Sequence, residues 1–150
     1  MQWALSSFAN RDGARPYIDA AEHLFARAVD DAWNADGAEG LVYTTDWNGT
    51  PVVTDRMHWT AAESLNTAAT LHAATGEERY ADWYATFARY VDEHVIDHEG
   101  GSWFHQLDGD NRVIGTVWPG KSDLYHAFQS TLIPFLDPAV SIATAVKNAE

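Results

Sequence analysis

The sequence predicts an all-α fold, a partial toroid of helical hairpins with short β-hairpins on one rim. Three observations predict it. First, the chain repeats itself: Gly13 matches Gly76 and Tyr17 matches Tyr80, each 63 positions on (76 − 13; 80 − 17), and Asp46 matches Asp108, 62 positions on (108 − 46). Second, each unit has one layout, a Gly turn, an amphipathic helix, a Gly-containing loop and a strand-like pair. Third, a more apolar helix follows each pair. Amphipathic outer helices alternating with apolar inner ones suit a ring of hairpins whose loops decorate one rim.

The first outer helix is expected over Pro16 to Trp33. Pro16 fits a first turn, where its missing N–H costs nothing, and Ile18, Ala21, Leu24, Phe25 and Ala28 share an apolar face. The second outer helix is expected over Glu77 to His94, with Tyr80, Trp83, Tyr84, Phe87 and Val91 on its face. Candidate strands run Leu41 to Thr45 and Pro51 to Thr54, then Ser102 to Leu107 and Arg112 to Thr116. Asn48-Gly49 and Gly109-Asp110 supply turn chemistry between them. The inner helices are expected over Met57 to Ala74 and Asp123 to Leu136.

A ring of about six such units, at ~62 residues each, needs roughly 370 residues. This chain has 150. An open arc leaves inner-helix faces without neighbours. The expectation is therefore a fragment, a truncated gene product, or half of an oligomeric assembly such as a homo-oligomer.

Apolar residues make up 46% of the chain, enough for a packed core. The formal charge of −13 argues against nucleic acid and anionic membranes as partners, since their phosphates would be repelled. With no cysteine, disulfide and thiolate chemistry are excluded, which fits a cytoplasmic location. The N-terminus lacks a signal-peptide pattern, and no stretch is long and apolar enough to span a bilayer. Seven tryptophans suit either a Trp-rich core or a cleft where indoles stack on the C–H faces of a sugar. No histidine–carboxylate set has metal spacing, and neither a phosphate-binding loop nor a hydrolase elbow motif is present.

Three stretches carry a resemblance: DRMHWTAAE at Asp55 to Glu63, GSWFHQLD at Gly101 to Asp108, and VWPGKSDLYHAFQSTLIP at Val117 to Pro134. On these the chain resembles the C-terminal half of the N-acylglucosamine 2-epimerase family, and within it the mannose isomerase and sulfoquinovose isomerase branch. The resemblance implies an (α/α)6 barrel, cofactor-independent proton transfer and a small monosaccharide as partner. The epimerase branch has two adjacent tryptophans where this chain has His58-Trp59. The family also uses a first histidine, with a glutamate three residues later, on an upstream helix. Trp3 resembles the residue just after that motif, so the first histidine is expected to be missing here and the chain alone to be inactive.

His126 is the candidate catalytic residue. It falls in the first turn of a helix with Ser122 or Asp123 as N-cap, and the positive helix end disfavours imidazolium. A neutral histidine can take a proton from one sugar carbon and return it to the next through an enediolate. The resemblance matches His126 to the family's second catalytic histidine. Trp59 and Glu63, four apart, share a helix face. The resemblance makes Trp59 a stacking platform and Glu63 an orienter of a sugar hydroxyl or of the histidine; a structural ion pair of Glu63 with Arg56 is the alternative. His105 and Gln106 are candidate substrate contacts on the second hairpin, although alternation points them to opposite faces. Gln129 shares the face of His126. Lys121 reads as a surface lysine, and His23, His72, His94 and His98 as solvated.

The function expected is thus an aldose–ketose isomerase or sugar 2-epimerase. A glycoside hydrolase or lyase on a similar toroid is an alternative, which would need a second carboxylate opposite Glu63. An inactive sugar-binding remnant is another.

Overall fold

Helix α1 (Arg15–Ala32) starts with Pro16 in its first turn and buries Ile18, Ala21 and Phe25. Leu24 and Ala28, expected on the same face, lie to one side of it and are exposed. The computed structural model to which α1 belongs describes residues 13–138 and 140–149, so the expectation placed on Trp3 lies outside the described residues. After α1 come β1 (Thr44–Thr45), β2 (Pro51–Val53) and β3 (Arg56–Met57), and then the inner helix α2 (His58–Thr75). Gly76 ends α2 in the left-handed conformation (φ 70°), and its N–H returns to the His72 carbonyl at 2.8 Å. Helix α3 (Glu78–Tyr90) follows and widens into a π turn at Val91–Val95, where both valines are buried. Then come β4 (Gln106–Leu107), β5 (Val113–Ile114), the inner helix α4 (Leu124–Leu132) with a 3-10 turn at Ile133–Phe135, and α5 (Ile142–Asn148). Helix α5, capped by Ser141, carries no sequence signal of the repeat.

Helix α2 is the hub. It packs on α1, α3 and α4, and it buries residues on nearly every side, among them Ala61, Ala62, Leu65, Ala68 and Leu71. This all-round burial explains why its sequence lacks an amphipathic stripe. The outer helices meet each other through aromatic rings. Phe25 sits edge-on to Tyr80 at 5.5 Å, and Trp33 edge-on to Phe87 at 5.2 Å and Tyr90 at 5.6 Å. Trp83 stacks on Phe87 at 5.2 Å. Trp33, Trp83 and the buried Trp103 therefore belong to the core.

The repeat is visible in atomic detail. Asp46 Oδ1 accepts from the Asn48 and Thr50 amides at 2.8 and 2.9 Å, and Asp108 Oδ1 accepts from the Asp110 and Arg112 amides, both at 2.9 Å. The two matched aspartates close equivalent hairpin turns. The matched glycines agree as well, both left-handed (Gly13 φ 85°, Gly76 φ 70°), whereas the matched tyrosines differ, Tyr80 being buried and Tyr17 exposed.

The strands are shorter than expected, and they are not two separate hairpins. β1 and β2 pair with each other, but β3 joins the second hairpin in an antiparallel sheet of order β3-β4-β5, with Arg56 opposite Leu107 and Met57 opposite Gln106. That sheet ties the start of α2 to the second repeat. Arg56, buried within it, binds Asp36 through both terminal nitrogens at 2.6 and 2.7 Å and donates to the carbonyls of Thr54, Ala38 and Glu39. The guanidinium holds the Asp36 carboxyl below its ordinary value. The alternative pairing of Arg56 with Glu63 is not what the structure contains. No helix among the described residues is long and apolar enough to cross a membrane.

Candidate active site

The first two turns of α2 carry His58, Trp59 and Glu63, and the first turn of α4 carries His126. Of the two candidate caps, Asp123 is the one that caps α4: its Oδ1 accepts from the His126 amide at 3.1 Å. The His126 ring then reaches across to α2, where its Nδ1 lies 3.0 Å from Glu63 Oε1. An ionised carboxylate only accepts, so the proton belongs on Nδ1 and the Nε2 lone pair is left free. Both side chains are part-exposed.

Aromatic rings flank this pair. Trp59 stands edge-on to Tyr43 at 5.5 Å and to the His105 ring at 5.7 Å. His105 stacks on Trp118 at 5.9 Å and 20°. The sequence-predicted residues His126, Glu63, Trp59 and His105 are thus gathered at one end of the α2–α4 pair. Glu63 also lines a groove of about 340 Å³ with Tyr125, Gln129 and Ile133.

Gln106 departs from expectation. It is 0% exposed, its amide nitrogen donates to Asp55 at 2.6 Å and Thr116 at 2.9 Å, and its oxygen accepts from the Val117 amide at 3.0 Å. Alternation puts the half-buried His105 ring on the side of the aromatic cluster and turns Gln106 the other way, where it anchors the segment bearing Trp118.

Two residues escaped the sequence reading. His58, 1% exposed, places Nε2 3.1 Å from Asp123 Oδ2 and Nδ1 3.4 Å from the His105 carbonyl. Burial and the neighbouring His105 hold its pKa below the ordinary 6.5, outweighing Asp123. Burial pushes the Asp123 carboxyl up, and the His126 amide and His58 ring more than offset it, so its pKa lies below the usual value. The signal for His58 was its position next to Trp59 in place of a second tryptophan. Trp118 is the other omission; its sequence signal was its place in the Val117 to Pro134 motif.

The remaining polar candidates serve locally. Lys121 pairs with Asp97, His72 contacts the Glu77 carbonyl at 3.2 Å, and His98 contacts the Asp92 carbonyl at 2.8 Å. Glu39, Glu93 and His94 bring ligand atoms within 4.8 Å of one another, a grouping that sequence spacing did not reveal. Arg89 donates to both carboxylates and already supplies positive charge there.

Comparisons with known proteins bear on the family and the fold. The family model for N-acylglucosamine 2-epimerase matches residues 1–130. A D-mannose isomerase from Pseudomonas cannabina pv. alisalensis is 46% identical over 142 residues, 95% of this chain and 34% of the relative. One from Thermobifida fusca is 46% identical over 127 residues, 84% of this chain and 31% of the relative. A crystal structure of D-mannose isomerase superposes with a TM-score of 0.78 at 30% identity, covering 89% of this chain and 34% of that one. The fold also matches cellobiose 2-epimerase from Spirochaeta thermophila, with a TM-score of 0.57 at 23% identity, over 84% of this chain and 29% of that one. The chain spans about a third of the length of the curated relatives it matches, and its arc of hairpins is part of an α/α toroid. With a matching family model over most of its length and its hairpins in the same arrangement, the chain belongs to the N-acylglucosamine 2-epimerase family.

Proposed function

We propose that this chain carries one half of the proton-transfer site of a sugar isomerase acting on an aldose such as mannose. The observation that carries the reading is the 3.0 Å bond between Glu63 and His126, set among the Trp59, His105 and Trp118 rings. Glu63 fixes the ring with its Nδ1 proton inward and leaves Nε2 as the base. In the proposed step the C2–H bond of the open-chain aldose breaks and its proton moves to Nε2. The electron pair forms the C1–C2 double bond of an enediolate, with charge on O1. Transfer of the O2 hydroxyl proton to O1, with return of the proton from Nε2 to C1, gives the ketose; protonation of the opposite face of C2 would need a second acid and, with the O1 charge collapsing to the aldehyde, gives the epimer. Trp59 supplies a flat apolar surface for the sugar's C–H face, and His105 a polar contact beside it.

The relatives named D-mannose isomerase favour the isomerase outcome. Glu63 has a histidine as its partner, which favours proton transfer over paired-carboxylate hydrolysis. The second acid–base group would come from chain outside these 150 residues, so the activity is proposed for the assembled enzyme. Leu124, Phe128 and Phe135, exposed on and beyond α4, are the apolar surface that further hairpins of a toroid would cover.

The test joins this segment to the remaining two thirds of the Thermobifida relative and follows D-mannose in D2O by proton NMR. Loss of the C2 proton signal with appearance of fructose is expected, and its abolition by His126→Ala. A joined chain that folds but leaves the C2 proton untouched would refute the proposal.

A further inference from the structure

Among the described residues, two side-chain hydrogen bonds tie α2 to the start of α4, and Glu63–His126 is one of them. We infer that the other, His58 with Asp123, is a positioning pair that aims His126; this rests on the proton-transfer reading above. Asp123 divides its carboxylate between two tasks. Oδ1 accepts from the His126 backbone amide at 3.1 Å, and Oδ2 faces His58 Nε2 at 3.1 Å. His58 therefore touches the catalytic histidine's own helix turn through a single carboxylate.

The geometry gives each link a distinct task. His58 to Asp123 fixes the backbone from which His126 projects. Glu63 to His126 fixes the rotation of its ring. Both anchors stand on α2, which is the most deeply packed helix of the arc, so the aim of His126 is inherited from the core. His58 is almost fully buried under the His105 ring, with ring centroids 4.5 Å apart, and lies 5.8 Å from the His126 ring. It is too enclosed to meet a sugar, so its action passes through Asp123. A buried imidazole needs a partner for its N–H, and Asp123 is an acceptor only. The His105 carbonyl facing Nδ1 is an acceptor too, but it is farther, at 3.4 Å, and already accepts from the His58 amide, so the nearer, charged carboxylate takes the proton on Nε2.

Why should such a link matter? Effective catalysis by a positioned base falls steeply with small displacements, a 1 Å error costing on the order of 100-fold. The side chain of Asp123 is about half exposed (49%), so as a helix cap alone it could be solvated without His58. The buried histidine adds direction rather than solvation.

The experiment is long-range 1H–15N correlation NMR of the histidine rings in the 150-residue chain, which reports each tautomer. In the parent chain His58 is expected as Nε2–H and His126 as Nδ1–H. Asp123→Asn keeps a competent helix cap but presents an amide donor to His58, which should switch to Nδ1–H. His58→Leu removes the donor to Asp123, so the turn that bears His126 is no longer held against α2; the ring should then part from Glu63 and convert to the Nε2–H form that imidazole favours in water, whereas His58→Gln, with an amide donor, should retain Nδ1–H. A purely structural His58 would shift the melting temperature and leave the His126 tautomer alone. The inference is overturned if His126 keeps Nδ1–H in His58→Leu, or if His58 keeps its tautomer in Asp123→Asn. If His58→Leu does not fold, Asp123→Asn decides by the same signals. In the joined chain, Asp123→Asn should lower kcat by about tenfold or more with KM within about twofold. A parent joined chain without C2 exchange would fail the proposed function, and the tautomers would still decide the positioning pair.

Discussion

Glu63 and His126 stand one repeat apart in sequence and 3.0 Å apart in space. The bond joins two inner helices, so a pair of side chains reports directly on how α2 and α4 pack. In the assembled enzyme, Glu63→Gln should lower kcat on the order of 100-fold or more, because the amide can present either its oxygen or its nitrogen and no longer dictates the tautomer. Steady-state kinetics on mannose measure this, and KM should change little.

Acid should destabilise the fold through His58 and Asp123. Both have folded-state pKa values below their ordinary ones, His58 below 6.5 and Asp123 below 3.8. The unfolded chain therefore binds more protons as pH falls, first through His58 below about pH 6.5 and then through Asp123. Urea denaturation between pH 7.5 and 4.5 should show stability falling as the pH drops, and His58→Gln should flatten the upper part of that slope.

Arg56→Met should cost roughly 3–5 kcal/mol, the usual result of removing one partner of a buried ion pair. Asp36 would lose its bidentate partner, and three backbone carbonyls would lose a donor. Chemical denaturation measures the change. Arg56→Met with Asp36→Leu should recover part of the loss, since no carboxylate then lacks its partner.

Gln106→Leu should lower stability by about 1–3 kcal/mol and leave sugar affinity unchanged in variants that fold. Its side chain spends its polar atoms on Asp55, Thr116 and the Val117 amide. A mannose titration alongside thermal melting separates this from a substrate contact, which would show the reverse pattern.

Gly40→Ala should also destabilise, by roughly 1–3 kcal/mol. Gly40 has φ 111°, and an added Cβ would fall 2.7 Å from the Tyr90 ring and hydroxyl. Circular dichroism melting of this variant should show a lower midpoint than the parent chain.

The helices were legible because their signals are local. Pro16, Gly76 and the aromatic face of α3 mark starts, stops and burial without reference to distant residues. Repetition then showed that the hairpins share a plan, and Asp46 and Asp108 bear this out with the same turn bonds. β3 was not legible, since two residues carry no period, and its pairing with Leu107 and Gln106 is decided by a packing partner some fifty residues later. At the site, His126, Glu63 and Trp59 followed from helical spacing and the resemblance. His58 did not, because its role depends on Asp123 approaching from another helix. Gln106 shows the converse error: a motif residue beside the cleft can belong wholly to the scaffold.

The β3–β4 pairing has a consequence for how the chain could be divided. The turn at Gly76 is where one hairpin unit ends and the next begins, yet the strand before α2 is hydrogen-bonded to a strand beyond α3. A protease nick at Gly76 would sever the covalent connection and leave both fragments laced together by backbone bonds and by the α2–α3 interface. The units that recur in the sequence are therefore not the pieces into which the protein comes apart.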